Sequence, residues 1–114
     1  MTLSDAALVV ASNAVDTAIT HFALHSGARG AAGTTNAIGT RVAVNGTVDA
    51  DGDITWTNTA FTGLPASGAV AEVSYWSAST GGTYYGGATI TGDTTANAAG
   101  EFTLTSVTEN LTAS

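Results

Sequence analysis

The segment at residues 70–90 constrains the fold of this 114-residue chain more than any other part of the sequence. Two runs rich in β-branched and aromatic residues flank the tetrapeptide Ser-Thr-Gly-Gly at residues 79–82. Glycine readily takes the positive φ that a tight connection between antiparallel strands requires. The segment therefore predicts a β-hairpin with one strand at 69–77 and the other at 83–91.

Strict alternation marks an earlier strand candidate at residues 19–26. The pattern places Phe22 and Leu24 on one face of the strand and His21 and His25 on the other. Further strands are predicted on the same grounds at 41–48, 54–61 and 102–107, the first two being joined by an Asp-Gly turn at residues 51–52.

Three other segments complete the predicted organisation. Ser4 precedes an apolar run and is a favoured N-cap residue, which predicts a short helix at 5–14. Residues 27–40 are rich in Gly, Ala and Thr without periodicity, which predicts a long loop, either a site of contact with neighbours or a plain surface loop. Residues 108–114 are predicted to form a tail, or from residue 109 a short continuation of the last strand.

One short helix and six or seven short strands indicate a mainly β chain. We expect a single domain built as a small antiparallel β-sandwich or barrel. The inward-facing apolar positions predict a core of Phe22, Leu24, Val42, Val44, Ile54, Trp56, Phe61, Val70, Val73, Tyr75, Ile90, Phe102 and Leu104.

The charge balance excludes several classes of partner. The chain has no lysine, Arg29 and Arg41 are its only arginines, and its net charge is −7. Phosphate backbones and anionic lipids are bound mainly through Lys and Arg, so we expect neither nucleic acid nor a membrane as a partner.

The apolar run at residues 6–11 is too short to span a bilayer. The chain has no cysteine, so it can form neither disulfides nor thiolate metal sites.

Three aspartates resemble the beginning of a calcium-binding loop. Asp49, Asp51 and Asp53 alternate as calcium ligands do, but Gly52 lies one position too early, and Ala60 stands where such a loop needs a bidentate Glu. The sequence therefore predicts a solvated acidic turn with weak calcium binding at most.

Catalytic motifs are missing from the sequence. His21 and His25 in a strand would lie roughly 13 Å apart, too far to chelate one metal ion. There is no Gly-x-Ser-x-Gly elbow, no Gly-x-Gly-x-x-Gly fingerprint and no lysine for a P-loop or Schiff base. We therefore expect no enzymatic activity, no metal and no cofactor.

Adjacent aromatic residues within the hairpin must face opposite sides of the sheet. Of Tyr75 and Trp76, and of Tyr84 and Tyr85, at least one member of each pair is therefore a candidate for an exposed or interfacial position. Exposed aromatics can anchor a protein interface or stack on sugar rings.

Two sequence runs resemble a known family. The chain reads Thr-His-Phe-Ala-Leu-His-Ser-Gly at residues 20–27 and Tyr-Trp-Ser-Ala-Ser-Thr-Gly-Gly-Thr-Tyr-Tyr-Gly at residues 75–86. Together these resemble the small tailed-bacteriophage virion proteins usually labelled tail fibre or minor tail proteins. Members of that family commonly follow Leu-His-Ser or Leu-His-Thr with Ala-Asp-Pro-Gly, whereas in this chain Gly-Ala-Arg-Gly at residues 27–30 follows Leu-His-Ser.

The resemblance implies a non-enzymatic structural protein on the exterior of a phage particle, assembled in the host cytoplasm. Either a tail or fibre location or a capsid decoration role fits, with other virion proteins and copies of the same chain as partners. Arg29 and Arg41 would then pair with carboxylates of neighbours, or Arg41 would merely cap a strand edge. From their place in the strand, His21 and His25 are expected to be structural, or His25, at the strand end next to the long loop, makes an interface hydrogen bond. The alternative is a carbohydrate-binding module that recognises a host-surface glycan through Trp76, Tyr84 or Tyr85.

Overall fold

The computed structural model describes residues 3–111. Within them the chain forms helix α1 (Asp5–Ala18) and strands β1 (His21–His25), β2 (Ala37–Ala43), β3 (Thr47–Val48), β4 (Asp53–Phe61), β5 (Glu72–Trp76), β6 (Tyr84–Thr89) and β7 (Phe102–Asn110). Sheet A has the strand order β2-β1-β5-β6 and sheet B the order β3-β4-β7, and every pairing is antiparallel. The predicted fold class, mainly β with antiparallel sheets and one short N-terminal helix, is confirmed.

Helix α1 begins as predicted and covers one edge of sheet B. The Ser4 hydroxyl accepts a hydrogen bond from the Ala7 backbone N–H, as an N-cap does. The helix continues to Ala18, four residues beyond the predicted end. The buried Ser12 hydroxyl donates to the Gly52 carbonyl, and Asp16 accepts from the Gly46 N–H at 3.0 Å. These contacts hold the helix against the β3–β4 hairpin.

The predicted loop at 27–40 is shorter than expected. Strand β2 begins at Ala37 and pairs with β1, so only residues 27–36 lie outside a strand. The strand predicted at 41–48 is accordingly divided between the end of β2 and the two-residue β3. Alternation fails to reveal β2 because Gly39 has a φ of +65° and the pairing with β1 shifts register between Phe22 and Leu24.

Both predicted hairpins are confirmed, and the last strand is longer than predicted. Strands β5 and β6 pair antiparallel, and so do β3 and β4 around the Asp-Gly turn. Strand β7 continues to Asn110, and its residues 108–110 pair with residues 53–55 of β4. The alternative of a strand continuation is therefore the correct one there, and the tail is wrong. Residues 112–114 of that tail lie outside the described residues.

The core lies between the two sheets and centres on three aromatic rings. Phe22 lies 5.3 Å from Trp56 and 5.0 Å from Tyr75 between ring centroids, and Trp56 lies 5.6 Å from Tyr75. The predicted core is confirmed except at Val42 and Val44, which are only partly buried against it. Both valines lie at or just beyond the end of β2, where sheet A reaches its margin.

The long β4–β7 pair is bent at Asn58. Trp56 and Thr59 both face inward, which breaks the two-residue alternation, and Asn58 between them has a φ of +53°, a conformation that Asn tolerates. Strand β7 changes face at the same level, because Leu104 and Val107 are both buried. The bend keeps apolar side chains in the core along all nine residues of each strand.

We predict that Phe22→Ala lowers the free energy of unfolding by about 3–5 kcal/mol, because it removes the ring that contacts both other aromatics. Val10→Ala, on the exposed face of α1, is the matched control and should change it by less than about 0.5 kcal/mol. Urea denaturation followed by circular dichroism measures both. A similar small loss for the two variants would contradict the assigned core.

Candidate interaction surfaces

Residues 27–36 fold over the outer face of sheet A. In the centre of that face His25 is fully buried, and its Nδ1 lies 2.8 Å from the Thr35 carbonyl of this loop. Its Nε2 lies 2.7 Å from the Ser74 hydroxyl, which also accepts the Trp76 indole N–H at 2.8 Å. The loop thus forms a third layer on sheet A, and β1 and β5 are buried on both faces.

The interface hydrogen bond expected of His25 is therefore made within the chain. Since a carbonyl oxygen can only accept, Nδ1 of His25 carries a proton, and in the neutral imidazole Nε2 then accepts from Ser74. The separation of Ser74 from His25 suits a nucleophile and its base, but both side chains have no exposed surface. A substrate cannot reach this pair, and its hydrogen bonds instead fix the register of the loop against the sheet.

Arg29 pins the loop to strands β5 and β6. Its guanidinium donates to Glu72 at 2.6 Å and to the Tyr84 hydroxyl at 2.8 Å, while its backbone N–H donates to the same Glu72 oxygen at 3.2 Å. The hydrogen bond to Tyr84 is the main cause of a raised pKa of Arg29. A Cβ at Gly87 would lie 2.6 Å from Arg29 Nε, so only glycine leaves room for this side chain.

Arg41 covers Trp76 on the same outer face of sheet A. Its guanidinium carbon lies 3.7 Å from the Trp76 ring centroid, and the guanidinium donates to the carbonyls of Ala78 and Gly81 in the β5–β6 turn. Burial lowers the pKa of Arg41. Tyr84 packs against Trp76 from the opposite side at 5.4 Å.

These contacts engage both arginines within the chain. Arg29 meets a carboxylate of its own chain rather than of a neighbour, and Arg41 binds carbonyls and an aromatic ring. Trp76 is only 5% exposed, so the expected exposed member of its pair is covered. Tyr85, at 48% exposure, is the one aromatic residue of the six interface candidates that projects freely.

Five of the six interface candidates thus meet in one place, which we call the arginine cluster: His25, Arg29, Arg41, Trp76 and Tyr84. The side chains that the sequence marks as interface candidates are thus engaged with one another and with neighbours in the same chain. Sequence reasoning missed the partners Glu72 and Ser74, although their spacing with Trp76 at every second position of β5 places all three on one face.

Apart from Asp53 at the start of β4, the outer face of sheet B is an uncharged hydroxyl surface. Thr47 lies opposite Thr55, and Thr55 lies opposite Thr108 with their hydroxyl oxygens 3.3 Å apart, so one row crosses all three strands. A second row pairs Thr57 with Ser106. We call this the hydroxyl face and define it by Thr47, Thr55, Thr57, Thr103, Thr105, Ser106 and Thr108.

A groove of about 260 Å³ opens between the edge strands β6 and β7. Its floor is apolar and includes Val73, Ile90 and Leu104, while threonine and serine hydroxyls line its rim. Among the described residues that line it, Asp93 is the only ionisable one. The paired carboxylates of a glycosidase are therefore missing from this groove.

The carboxylates of the β3–β4 turn come together. One oxygen from each of Asp49, Asp51 and Asp53 lies within 4.8 Å of the others. Burial, followed by the charges of Asp49 and Asp51, raises the pKa of Asp53. Asp49 Oδ1 already accepts the backbone N–H groups of Asp51 and Asp53, which organises the turn. Ala60, the position at which a calcium loop needs its Glu, lies on β4 and offers no side-chain ligand.

Comparisons with known proteins assign no relative. No protein-family model matches the chain, and no curated protein or solved structure is significantly similar to it. Among residues 3–111, no helix combines the length and the apolar character that crossing a membrane requires. Function must therefore be argued from the geometry of the surfaces.

We predict that Arg41→Ala destabilises the fold by about 1–2 kcal/mol and uncovers Trp76, because the guanidinium lies over the ring. Acrylamide quenching of tryptophan fluorescence should rise, while Arg41→Lys should give an intermediate value, since lysine keeps the charge but lacks the planar group. Quenching equal to that of the wild type would contradict the covered position of Trp76.

We predict that Glu72→Gln is less stable than the wild type near neutral pH and equally stable in acid. The pKa of Glu72 is lowered, first by the Arg29 backbone N–H and also by the guanidinium. A lowered pKa gives stability that is present above the unfolded-state value and is lost as the pH falls through the folded-state value.

Melting temperatures between about pH 7 and 3 measure this effect. Glu101→Gln is the control, because Glu101 is exposed, lies outside the arginine cluster and accepts a hydrogen bond from the Asn97 side chain. A constant difference between Glu72→Gln and the wild type at every pH would contradict the ion pair.

Proposed function

We propose that this chain is a non-enzymatic structural protein of a tailed-phage particle, displayed on its exterior and acting through protein–protein contacts. The observation that carries the proposal is the hydroxyl face, an ordered surface without an ionisable side chain in a chain of net charge −7. The resemblance of residues 20–27 and 75–86 to phage virion proteins supports the particle as its setting.

The hydroxyl face suits repeated assembly for two physical reasons. Threonine and serine lose little side-chain entropy when they are packed against a neighbour, unlike long charged side chains. They also carry no full charge that must be stripped of water. The five carboxylates Asp5, Asp16, Asp49, Asp51 and Asp53 lie instead on α1 and the β3–β4 turn, at one end of sheet B. Charge is thus concentrated away from most of the proposed contact surface.

The arginine cluster argues for a contact protein rather than a glycan-binding one. Trp76 lies beneath Arg41 and is buried, so its ring has no free face to stack on a sugar. Tyr84 is partly buried, packs against Trp76, and is held through its hydroxyl by Arg29. The carbohydrate-binding alternative keeps only Tyr85 as an exposed ring.

The proposal is tested by mass spectrometry of purified phage particles that carry the gene for this chain. The wild-type chain should be present in many copies per particle. Thr57→Arg, in the middle of the hydroxyl face, should reduce that copy number by at least about tenfold, because a buried unpaired charge costs several kcal/mol. Thr17→Arg, on the exposed side of α1, is the control and should leave it unchanged.

Absence of the wild-type chain from the particles would overturn the proposal. Equal incorporation of the Thr57→Arg and wild-type chains would show that contacts are made through another surface than the hydroxyl face.

A further inference from the structure

One edge of sheet B is covered by the helix, and the other edge is unpaired. Helix α1 packs against β3 at one edge, through Ser12 and Asp16. At the other edge, strand β7 pairs with β4 alone, and within residues 3–111 no other backbone group bonds to residues 102–110. A nine-residue strand with one unpaired edge is a template for another strand.

Strand β7 is also symmetric about its centre. Phe102 and Leu104 face inward before the bend, and Val107 and Glu109 face inward after it, since Glu109 accepts a hydrogen bond from the core residue Tyr75. The hydroxyl residues between them are exposed at positions 103, 105, 106 and 108. Reading the strand backwards from residue 109 therefore gives the same order of inward and outward positions as reading it forwards from residue 102.

This symmetry fits one register of antiparallel self-pairing. With a two-fold axis between Thr105 and Ser106, Leu104 would lie opposite Val107 of a second copy and Thr103 opposite its Thr108. The bends of the two strands would then coincide, as the bends of β4 and β7 already do within one chain. Along a strand, the face to which a side chain points and the edge to which the N–H and C=O of the same residue point alternate together. Residues opposed in this register face the same side of the sheet, so their unpaired backbone groups would also point toward each other on both sides of the bend.

The charges of the chain permit the same register. Residues 102–108 contain no ionisable side chain. Glu109 would lie opposite Phe102 of the second copy, and Glu101 opposite its Asn110, so no two carboxylates would face each other. Two chains of net charge −7 can thus meet here without the direct apposition of like charges that destabilises sheet pairs.

We propose that two copies of this chain pair through β7, antiparallel and with the two-fold axis between Thr105 and Ser106, to form one continuous six-stranded sheet. The groove between β6 and β7 of each copy would then open onto the new junction, so that the apolar floor at Val73 and Ile90 is covered by the partner. This inference rests on the proposed function and deepens it, because it names one partner and its surface. The pairing can be disproved while the proposed function stands.

Cysteine cross-linking tests the register directly, since the native chain contains no cysteine. Thr103→Cys and Thr108→Cys chains, mixed under oxidising conditions, should give a covalent dimer of twice 11.2 kDa. Opposed residues of an antiparallel pair lie about 4.5–5.5 Å apart between Cα atoms, within reach of a disulfide. Each variant alone should stay uncross-linked, because its two cysteines would lie roughly 16 Å apart.

Sedimentation equilibrium of the full chain tests the dimer itself. The wild type should sediment as a dimer, and Thr105→Lys should shift it to the monomer, because it crowds two ammonium groups at the two-fold axis. Thr47→Lys makes the same change at the opposite edge of sheet B and should stay dimeric.

A wild-type chain that is monomeric at millimolar concentration would overturn the inference. So would cross-linking of either single variant alone, which would require another register. If the wild type is monomeric yet present in purified particles, the inference fails and the proposed function stands; if it is dimeric but missing from particles, the reverse holds.

Discussion

The arrangement of the outer face of sheet A depends on the contacts that Arg29 and Arg41 make across it. These are the only two basic side chains besides histidine, and each one ties a loop to the sheet: residues 27–36 in one case and the β5–β6 turn in the other. Without the loop, the buried pair of His25 and Ser74 would lie open to water. The domain is therefore built as three layers, with sheet A in the middle.

This use of the two arginines decides how the chain can meet other molecules. With both cations engaged internally, the free charges are carboxylates, and five of them lie on α1 and in the β3–β4 turn. Under the proposed function, contacts with other proteins or with copies of the chain would therefore use uncharged surface. The hydroxyl face and the unpaired edge of β7 both provide uncharged surface. The two surfaces overlap, because four residues of the hydroxyl face belong to β7.

Much of the fold was readable from the sequence, because alternation and turn residues report directly on hairpins. The two hairpins, the N-cap at Ser4 and most of the core follow from local pattern. Strand β2 could not be predicted, since Gly39 at positive φ and a shift of register remove its alternation. The bend at Asn58 was hidden for a similar reason, because it depends on one residue in the left-handed region.

The environment of the interface candidates is harder to predict from the sequence than the hairpins, because it is made by residues distant in the chain. Trp76 and His25 belong to the outward-facing set of their strands, as alternation says, yet both are buried. His25 is covered by the loop at residues 27–36 and Trp76 by Arg41, and no periodic pattern in the sequence predicts these contacts. The partners that fix these contacts, Glu72 for Arg29 and the turn carbonyls for Arg41, become visible only when the strands are placed side by side.

Hydrogen exchange of the loop at residues 27–36 tests the three-layer arrangement most directly. The Arg29 N–H donates to Glu72 and the Thr35 N–H donates to the Arg29 carbonyl at 3.0 Å, so both amides should exchange slowly, together with those of β1. Arg29→Gln should release the loop amides while β1 keeps its protection. Fast exchange of both loop amides in the wild type, beside a protected β1, would contradict the account.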